Sequence, residues 1–289
     1  MIDSRELSRW YEHAQRDLPW RRPGVTPWQI VVSEFMLQQT PVARVEPIWL
    51  AWVDRWPTPS ATAAASAADV LRAWGKLGYP RRAKRLHECA TVITEQFDDR
   101  VPSDVETLLT LPGVGAYTAR AIACFAYRQR VPVVDTNVRR VVARAVHGKS
   151  DAAVSSSPRD LDDVAALLPN DVDAPWFSIA LMELGATVCT ARAPRCGLCP
   201  LSDCAWRSRG YPAGTSVRRV QKYAGTDRQV RGRLLDVLRG NDSPVTRAEL
   251  DVAWLTDTAQ RDRALDSLLV DGLVEQTADG RFALAGEGD

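Results

Sequence analysis

The stretch Leu111-Pro112-Gly113-Val114-Gly115-Ala116-Tyr117-Thr118-Ala119 interrupts two helical patterns and decides how this chain folds. Before it, Ser103-Asp104-Val105-Glu106 has the spacing of a capping box, which predicts a short helix from about Asp104 to Thr110. Leu-Pro-Gly cannot continue that helix, whereas residues 116–127 resume with apolar side chains at helical spacing. Both glycines allow positive φ and a close backbone approach. The sequence therefore predicts helix, hairpin and helix, with amides at the start of the second helix that can bind a backbone phosphate.

The segment Val133-Val134-Asp135-Thr136-Asn137 follows this hairpin. Its aspartate has two interpretations. Most Asp residues before a helix only cap it, and Asp135 or Thr136 could cap a helix that starts near Asn137. The hairpin eighteen residues upstream, at Tyr117, favours instead a catalytic carboxylate at Asp135.

Composition restricts the class of protein. The chain has 289 residues, of which 45% are hydrophobic and 25% charged, as in an ordinary globular protein. A formal charge of +1 is not that of an indiscriminate DNA coat, so any nucleic-acid binding must come from local patches. Since no apolar run approaches the roughly 18 residues that span a bilayer, we expect neither signal peptide nor membrane segment, and a cytoplasmic location.

A second candidate carboxylate lies in the predicted helix that Thr26, Pro27 and Gln29 begin and that ends near Gln38. Glu34 stands there among Ile30, Val31, Phe35, Met36 and Leu37. Burial in such surroundings raises the pKa of a carboxyl group, which suits a general acid. The alternative is a glutamate satisfied by a nearby arginine or backbone amide.

Four of the six cysteines form the pattern Cys189-x6-Cys196-x2-Cys199-x4-Cys204. In a cytosolic chain such spacing favours metal or cluster ligation over disulfides. Four thiolates on one loop can bind a tetrahedral zinc ion or a cubane iron-sulfur cluster. Cys89 and Cys124 stand in apolar helical contexts, which predicts core positions. Trp49, Trp52 and Trp56 fall near helical spacing, which favours the core over base stacking.

The LPGVG hairpin, the segment VDTNVRRV after it and the motif SEFMLQQT at 33–40 resemble the helix-hairpin-helix DNA glycosylases, and within them the MutY-type adenine glycosylases. The resemblance covers about residues 7–206. It implies that Glu34 protonates the adenine, that Asp135 faces the sugar carbon, and that Gln38 and Tyr79 insert into the base stack. It also implies a [4Fe-4S] cluster on Cys189, Cys196, Cys199 and Cys204, and a monovalent cation at the hairpin.

The site residues that this resemblance implies fall into three groups. The catalytic group is Glu34, Asp135, Tyr117 and Asn137; the base pocket is Arg16, Trp20, Arg21 and Glu183; the DNA contacts are Gln38, Gln39, Tyr79, Arg82, Gly113, Val114 and Gly115. Two features depart from the family pattern: Pro80 replaces a tyrosine, and the last cysteine gap is four residues where the family usually has five. The apolar stretch 177–186, which carries Glu183, predicts a helix that ends in Gly185. An alternative for Glu183 is a half-buried charge paired with an arginine.

The predicted fold is all-α, with two lobes and a cluster loop. Residues 1–206 form the glycosylase unit, with a helical barrel lobe at about 22–132 and a cluster lobe from 1–21 and 133–206. Residues 207–227 are a basic linker, and 228–289 read as three helices and a hairpin turning at Asp279-Gly280, which suggests a winged helix that adds DNA affinity. Nothing in this segment matches the Nudix-like domain that usually ends MutY-type proteins.

The resemblance implies a monofunctional enzyme that removes adenine opposite 8-oxoguanine or guanine from double-stranded DNA. A phenol at Tyr117 cannot form the Schiff base that endonuclease III forms with a lysine at that place, so cleavage should stop at the abasic site. We expect a monomer with no membrane partner, associated with the nucleoid. The alternatives are a thymine or uracil mismatch glycosylase and, more distantly, a cluster-bearing regulator that binds DNA without cutting it.

Overall fold

A computed structural model describes residues 2–170, 173–214 and 223–288. Residues 215–222, in the predicted basic linker, lie outside the described part. The structure is mostly helical, as predicted, with one short β-hairpin. In chain order the elements are α1 (Ser4–Ala14), α2 (Pro27–Leu37), α3 (Val42–Arg55), α4 (Pro59–Ala63), α5 (Ala67–Trp74), α6 (Arg81–Gln96), α7 (Val105–Leu108), α8 (Ala116–Tyr127), α9 (Thr136–Ala145), α10 (Pro158–Leu167), α11 (Ala174–Thr187), α12 (Ala205–Ser208), α13 (Asp227–Arg239), α14 (Arg247–Asp251), α15 (Thr258–Val270), β1 (Val274–Gln276) and β2 (Phe282–Leu284).

Contacts divide the chain into two compact units. The first unit comprises residues 1–30, 103–110 and 114–218. The second comprises residues 31–102, 111–113 and 219–289, so that the C-terminal segment belongs with α3 to α6. None of the helices in the described residues is long and apolar enough to cross a membrane.

The first unit is built around a core in which α1, α9 and α11 pack together. The predicted apolar helix ending at Gly185 is longer than expected, because α11 continues to Thr187. Gly185 is needed there for packing, since a Cβ on it would lie 2.7 Å from the Asn137 Cβ and 2.8 Å from the Asn137 carbonyl oxygen. Gly185 therefore marks a close helix crossing and not the end of the helix.

In the second unit α4 and α5 each pack on α6, and three tryptophan rings lie together. The Trp52 ring meets those of Trp56 and Trp74 edge on, at centroid distances of 4.8 and 6.1 Å. Trp49, Trp52 and Trp56 are all buried, which confirms their expected place in the core. Cys89 and Cys124 are fully buried as well, also as predicted.

The C-terminal segment forms the expected three helices and hairpin. In the hairpin β1 and β2 are antiparallel, with Val274 opposite Leu284, and α13 packs on α15. The segment docks on α5 and α6 through two ion pairs, Arg72 with Glu287 and Arg81 with Asp271. Within the segment, Arg231 bonds Asp271 as well. Burial by itself would raise the pKa of Asp271, but hydrogen bonds from the two arginines outweigh it and lower that pKa.

The predicted capping box before the hairpin is wrong in its details. Asp104, not Ser103, caps α7, and its carboxylate accepts from the Thr107 amide at 2.8 Å. This bond lowers the pKa of Asp104. In contrast, the box at Thr26 and Gln29 is confirmed by reciprocal bonds of 2.9 and 3.3 Å.

Candidate active site and cluster loop

The hairpin between α7 and α8 depends on Gly113. This residue has φ +78°, and a Cβ on it would lie 2.8 Å from both the Arg85 Cβ and the Phe35 ring. Gly113 therefore meets both expectations, positive φ and close approach. For Gly115 the expectation of positive φ is wrong, because its φ is −94° and a Cβ would meet nothing within 4 Å.

Gly115 is instead the residue that caps α8, and it does so without a side-chain hydrogen bond. The first amides of a helix have no acceptor within it, so this helix start can receive a phosphate oxygen. Gly113 and Gly115 are exposed, whereas Val114 is buried. Contact of these three residues with DNA stays a prediction, as does the monovalent cation.

Tyr117 lies on the first turn of α8 and is half-buried. It packs against a small cluster of Ala121, Cys124 and Val133. Because Val133 stands two residues before Asp135, this cluster ties the start of α8 to the segment that carries the aspartate. The predicted catalytic residues Tyr117 and Asp135 thus share one packed support.

Asp135 caps α9, as the simpler of its two interpretations predicted. One carboxylate oxygen accepts from the Val138 amide at 2.7 Å, and the other accepts from the Asn137 side-chain nitrogen at 2.7 Å. Burial raises the pKa of Asp135, even though these bonds act in the opposite direction. The cap does not exclude catalysis, because it holds the carboxylate in one orientation.

Two buried arginines on α9 connect this cap to the cysteine loop. Arg140 donates to the Asn137 side-chain oxygen at 2.8 Å and to the carbonyls of Gly185 and Cys189, each at 2.7 Å. Sequence reasoning missed Arg140 and Arg144. Their signal was a pair of arginines four residues apart, on the same helical face as the apolar Val141.

Glu34 lies in α2 and is 6% exposed. Its neighbours Val31, Phe35 and Met36 are buried too, so the desolvated surroundings expected from the sequence are present. The helix ends at Leu37, one residue earlier than expected. Gln38 therefore lies in the turn after α2, where helical periodicity no longer decides which way it points.

Arg82 joins the turn after α2 to the loop before α6. Its guanidinium donates to the carbonyls of Met36, Gln38 and Gly78, at 3.0, 2.6 and 3.1 Å, and to the Thr40 hydroxyl at 2.9 Å. Burial lowers the pKa of Arg82 to about 10. The predicted phosphate contact of Arg82 stays a prediction, but its observed role is to organise two loops.

Each of these loops carries a strained residue that was predicted to touch DNA. Gln39 has φ +56° and Tyr79 has φ +48°, a region that costs a non-glycine residue on the order of 1 kcal/mol. Such strain persists only where surrounding contacts impose it, and it concentrates at functional sites. The position of Tyr79 between Gly78 and Pro80 is thus consistent with a functional loop.

The four residues of the predicted base pocket fall in the first unit, and three of them join in one ion-pair group. Glu183 is fully buried and accepts from Arg16 at 2.6 Å and from Arg21 at 2.8 Å. Burial would raise the pKa of Glu183, but the bond from Arg16 and the charge of Arg21 lower it. Trp20 is buried. The arginine pairing considered as an alternative for Glu183 is therefore observed, and contact with a base stays a prediction.

The four cysteines line a single cavity in the first unit. Its wall includes apolar Val141, Leu184, Val188 and Leu201, together with Arg144. Arg144 donates to the Cys189 sulfur at 3.5 Å and to the Thr190 carbonyl at 2.8 Å. Soft sulfur donors around an apolar cavity, with a cation at its edge, fit an anionic iron-sulfur cluster.

Comparison with known families gives two matches. Residues 32–164 match the family of HhH-GPD superfamily base excision DNA repair proteins. Residues 189–203 match the iron-sulfur binding domain of endonuclease III. The second match includes three of the four cysteines and ends one residue before Cys204.

Individual relatives extend the likeness to nearly the whole chain. An adenine DNA glycosylase of Mycolicibacterium smegmatis is 78% identical over 98% of this chain and 96% of its own length. Its counterpart in Mycobacterium tuberculosis CDC 1551 / Oshkosh is 75% identical over 99% and 95%. Among solved structures, a thermostable thymine-DNA glycosylase matches with a TM-score of 0.65 and 26% identity, over 71% of this chain and 95% of its own.

Proposed function

The chain belongs to the adenine DNA glycosylases of the HhH-GPD superfamily, which act in base excision DNA repair, and from this membership we propose that it removes adenine opposite 8-oxoguanine or guanine. The observation that carries the proposal is the setting of two carboxylates. Glu34 is buried among apolar side chains, and Asp135 is held by two hydrogen bonds in one orientation. The relatives at 75 to 78% identity add the identity of the base.

The cofactor is a [4Fe-4S] cluster, held by Cys189, Cys196, Cys199 and Cys204 of the endonuclease III iron-sulfur domain. The four thiolates would hold the cluster when it is bound, and their attachment to one group would fix the shape of a loop that has little regular structure. Two arginines of the chain contact the loop that carries these cysteines. Arg144 places a positive charge beside Cys189, and Arg140 connects the Cys189 carbonyl to Asn137.

The chemistry assigned to the chain begins with DNA binding and extrusion of the adenine from the duplex. Extrusion costs a few kcal/mol, which residues inserted into the stack offset. Tyr79 and Gln38 are the proposed wedge, while Gly113, Val114 and Gly115 receive the backbone phosphate. Gln39 and Arg82 complete the proposed DNA contacts, and Arg16, Trp20, Arg21 and Glu183 the base pocket.

Release of adenine as an anion is unfavourable. Glu34 donates a proton to the base, so that it leaves neutral, and the Asp135 carboxylate stabilises the positive charge that develops on the sugar. Asn137 donates to Asp135 and holds it in place. Because Tyr117 has no amine, no Schiff base forms. Water instead adds to the sugar cation and gives up a proton, which balances the proton that Glu34 donated, and the reaction ends at the abasic site.

We also propose that the enzyme works as a monomer in the cytoplasm, together with chromosomal DNA. We propose the same three parts that the sequence predicts. They are the glycosylase unit 1–206 with its barrel and cluster lobes, a basic linker 207–227, and a winged-helix-like segment 228–289. The three helices and hairpin after residue 226 support the last of these.

A panel of mismatched duplexes tests the function. We expect adenine release opposite 8-oxoguanine and guanine, and no release of thymine or uracil opposite guanine. Product should appear as abasic sites that break only after alkali. Release of thymine or uracil in place of adenine would support the mismatch glycosylase, and release of no base from any duplex would support the non-catalytic regulator.

The matched control is Glu34→Gln, which keeps the size of the side chain but cannot donate the proton. It should fold and bind DNA, yet release adenine at least about a hundredfold more slowly, the usual scale for a lost general acid. Stopped assays under single turnover measure this rate without interference from product release. Near-normal release by the variant would remove Glu34 from the mechanism.

A further inference from the structure

The start of α13 lies against the loop before α6. Arg228 donates a hydrogen bond from its guanidinium to the Tyr79 hydroxyl at 2.9 Å. The same guanidinium lies over the Tyr79 ring at 5.8 Å from its centroid, and over the Tyr223 ring at 5.4 Å. A residue of the C-terminal segment is therefore in direct contact with the tyrosine proposed as a wedge.

The backbone of Tyr79 is held independently of Arg228. Both the Trp74 indole nitrogen and the Arg82 guanidinium donate to the Gly78 carbonyl, at 3.0 and 3.1 Å. These bonds fix the strained residue before α6, and the Arg82 guanidinium also lies over the ring of the 43% exposed Tyr79 side chain, at 5.5 Å from its centroid. None of these contacts involves the Tyr79 hydroxyl, which marks the direction of the phenol. The bond from Arg228 reaches the far end of the phenol, where it can decide that direction.

The C-terminal segment has little general attraction for DNA. Residues 228–289 contain eight arginines and no lysine, against twelve aspartates and glutamates. Six of those arginines pair with aspartates: those at 231, 239, 247, 261 and 281 with aspartates of the segment, and Arg263 with Asp227 just before it. An effect of this segment on DNA binding therefore has to come from particular placements of charge, and the contact with Tyr79 is one of them.

The C-terminal segment is also held in place on both sides of the contact between Arg228 and Tyr79. Asp271 bonds Arg81, which begins α6 two residues after Tyr79, and it bonds Arg231, one helical turn after Arg228. Lys84 adds a bond to the Asp271 carbonyl at 3.2 Å. These contacts on either side hold the start of α13 beside the Tyr79 loop.

We propose that Arg228 is a positioning residue for Tyr79, and that it orients the phenol for insertion into the base stack. The inference rests on the wedge role of Tyr79 in the proposed function. A side chain that is already oriented loses less freedom when it inserts, so insertion and base extrusion become more favourable. The C-terminal segment then contributes to catalysis through one contact, without reading any base.

The test is a double-mutant cycle of Arg228→Met and Tyr79→Phe. Met keeps an unbranched side chain but cannot donate, and Phe keeps the ring but lacks the hydroxyl. Each single variant should lower single-turnover adenine release about fivefold to tenfold, the net scale of one hydrogen bond that is partly exposed to solvent. The double variant should lose no more than either single variant, because both changes remove the same contact.

A second measurement detects the insertion of Tyr79 into the base stack directly. With 2-aminopurine placed beside the 8-oxoguanine, insertion unstacks the probe and raises its fluorescence, and both single variants should reduce that rise. The control is Arg233→Met, which removes an exposed charge from the same helix. It should weaken DNA binding in a salt-dependent way and leave the fluorescence rise and the release rate at saturating enzyme unchanged.

Additive losses in the double variant, or equal effects of Arg228→Met and Arg233→Met, would show that Arg228 acts only as a charge and would overturn the inference. Tyr79→Ala separates this failure from failure of the proposed function. If Tyr79→Ala slows release while Arg228→Met does not, only the inference fails. If Tyr79→Ala releases adenine at the normal rate, the wedge role is wrong and the inference falls with it.

Discussion

Asp135→Asn should slow adenine release by about a hundredfold or more, because the neutral amide cannot stabilise the positive charge on the sugar. The fold should survive. Asn caps helices as well as Asp does, so the bond from the Val138 amide to this side chain can be kept. Single-turnover release and the midpoint of thermal unfolding, measured on the same preparation, separate the two effects.

Asp104→Asn is the matched control. Asp104 also caps a short helix and accepts from a backbone amide, at 2.8 Å, but it stands before the hairpin and has no proposed role in the reaction. This variant should release adenine at nearly the normal rate. If Asp135→Asn did the same, Asp135 would only be a cap.

The raised pKa of Asp135 adds a pH dependence to this prediction. Its cause is burial, which favours the protonated carboxyl group. Since only the carboxylate stabilises the sugar cation, release by the unmodified enzyme should fall as the pH decreases through this raised pKa. The acid limb of the pH profile should therefore lie above the ordinary aspartate value of about 3.9.

Cys199→Ser should remove most of the iron and the absorbance near 410 nm, roughly where cubane clusters absorb. The loop from 189 to 204 has only one short 3-10 turn, at Cys196–Leu198, so we expect its shape to depend on the four thiolates being held by the cluster. Without the cluster the Cys189 carbonyl should lose its fixed position. Arg140 would then lose an acceptor, and adenine release should fall together with the iron content.

Cys89→Ala is the control for this variant. Cys89 is fully buried in α6, and burial raises the pKa of its thiol to about 12, so it is not available as a thiolate ligand. Iron and sulfide per chain, measured on protein purified without oxygen, should match those of the unmodified enzyme. Finding one zinc and no iron in the unmodified protein would contradict the assignment of the cluster.

Sequence patterns were sufficient to predict the features that depend only on residues close together in the chain. The glycine hairpin, the Thr26 cap, the tryptophan core and the terminal hairpin follow from spacing and backbone preferences over a few residues. The cysteine spacing narrowed the cofactor to a zinc ion or a cluster, and the resemblance of the motifs to a family decided between them. These features need no information about distant parts of the chain.

Other features depended on contacts between residues far apart in sequence. Arg82 was expected to face phosphate but organises two loops, Gly185 was expected to end a helix but permits a helix crossing, and Arg140 was not noticed at all. The contact of Arg228 with Tyr79 joins residues 149 positions apart. A long polar side chain can satisfy its hydrogen bonds in water, on DNA or inside the protein, and no local pattern distinguishes these, so only the tertiary structure decides which partner it takes.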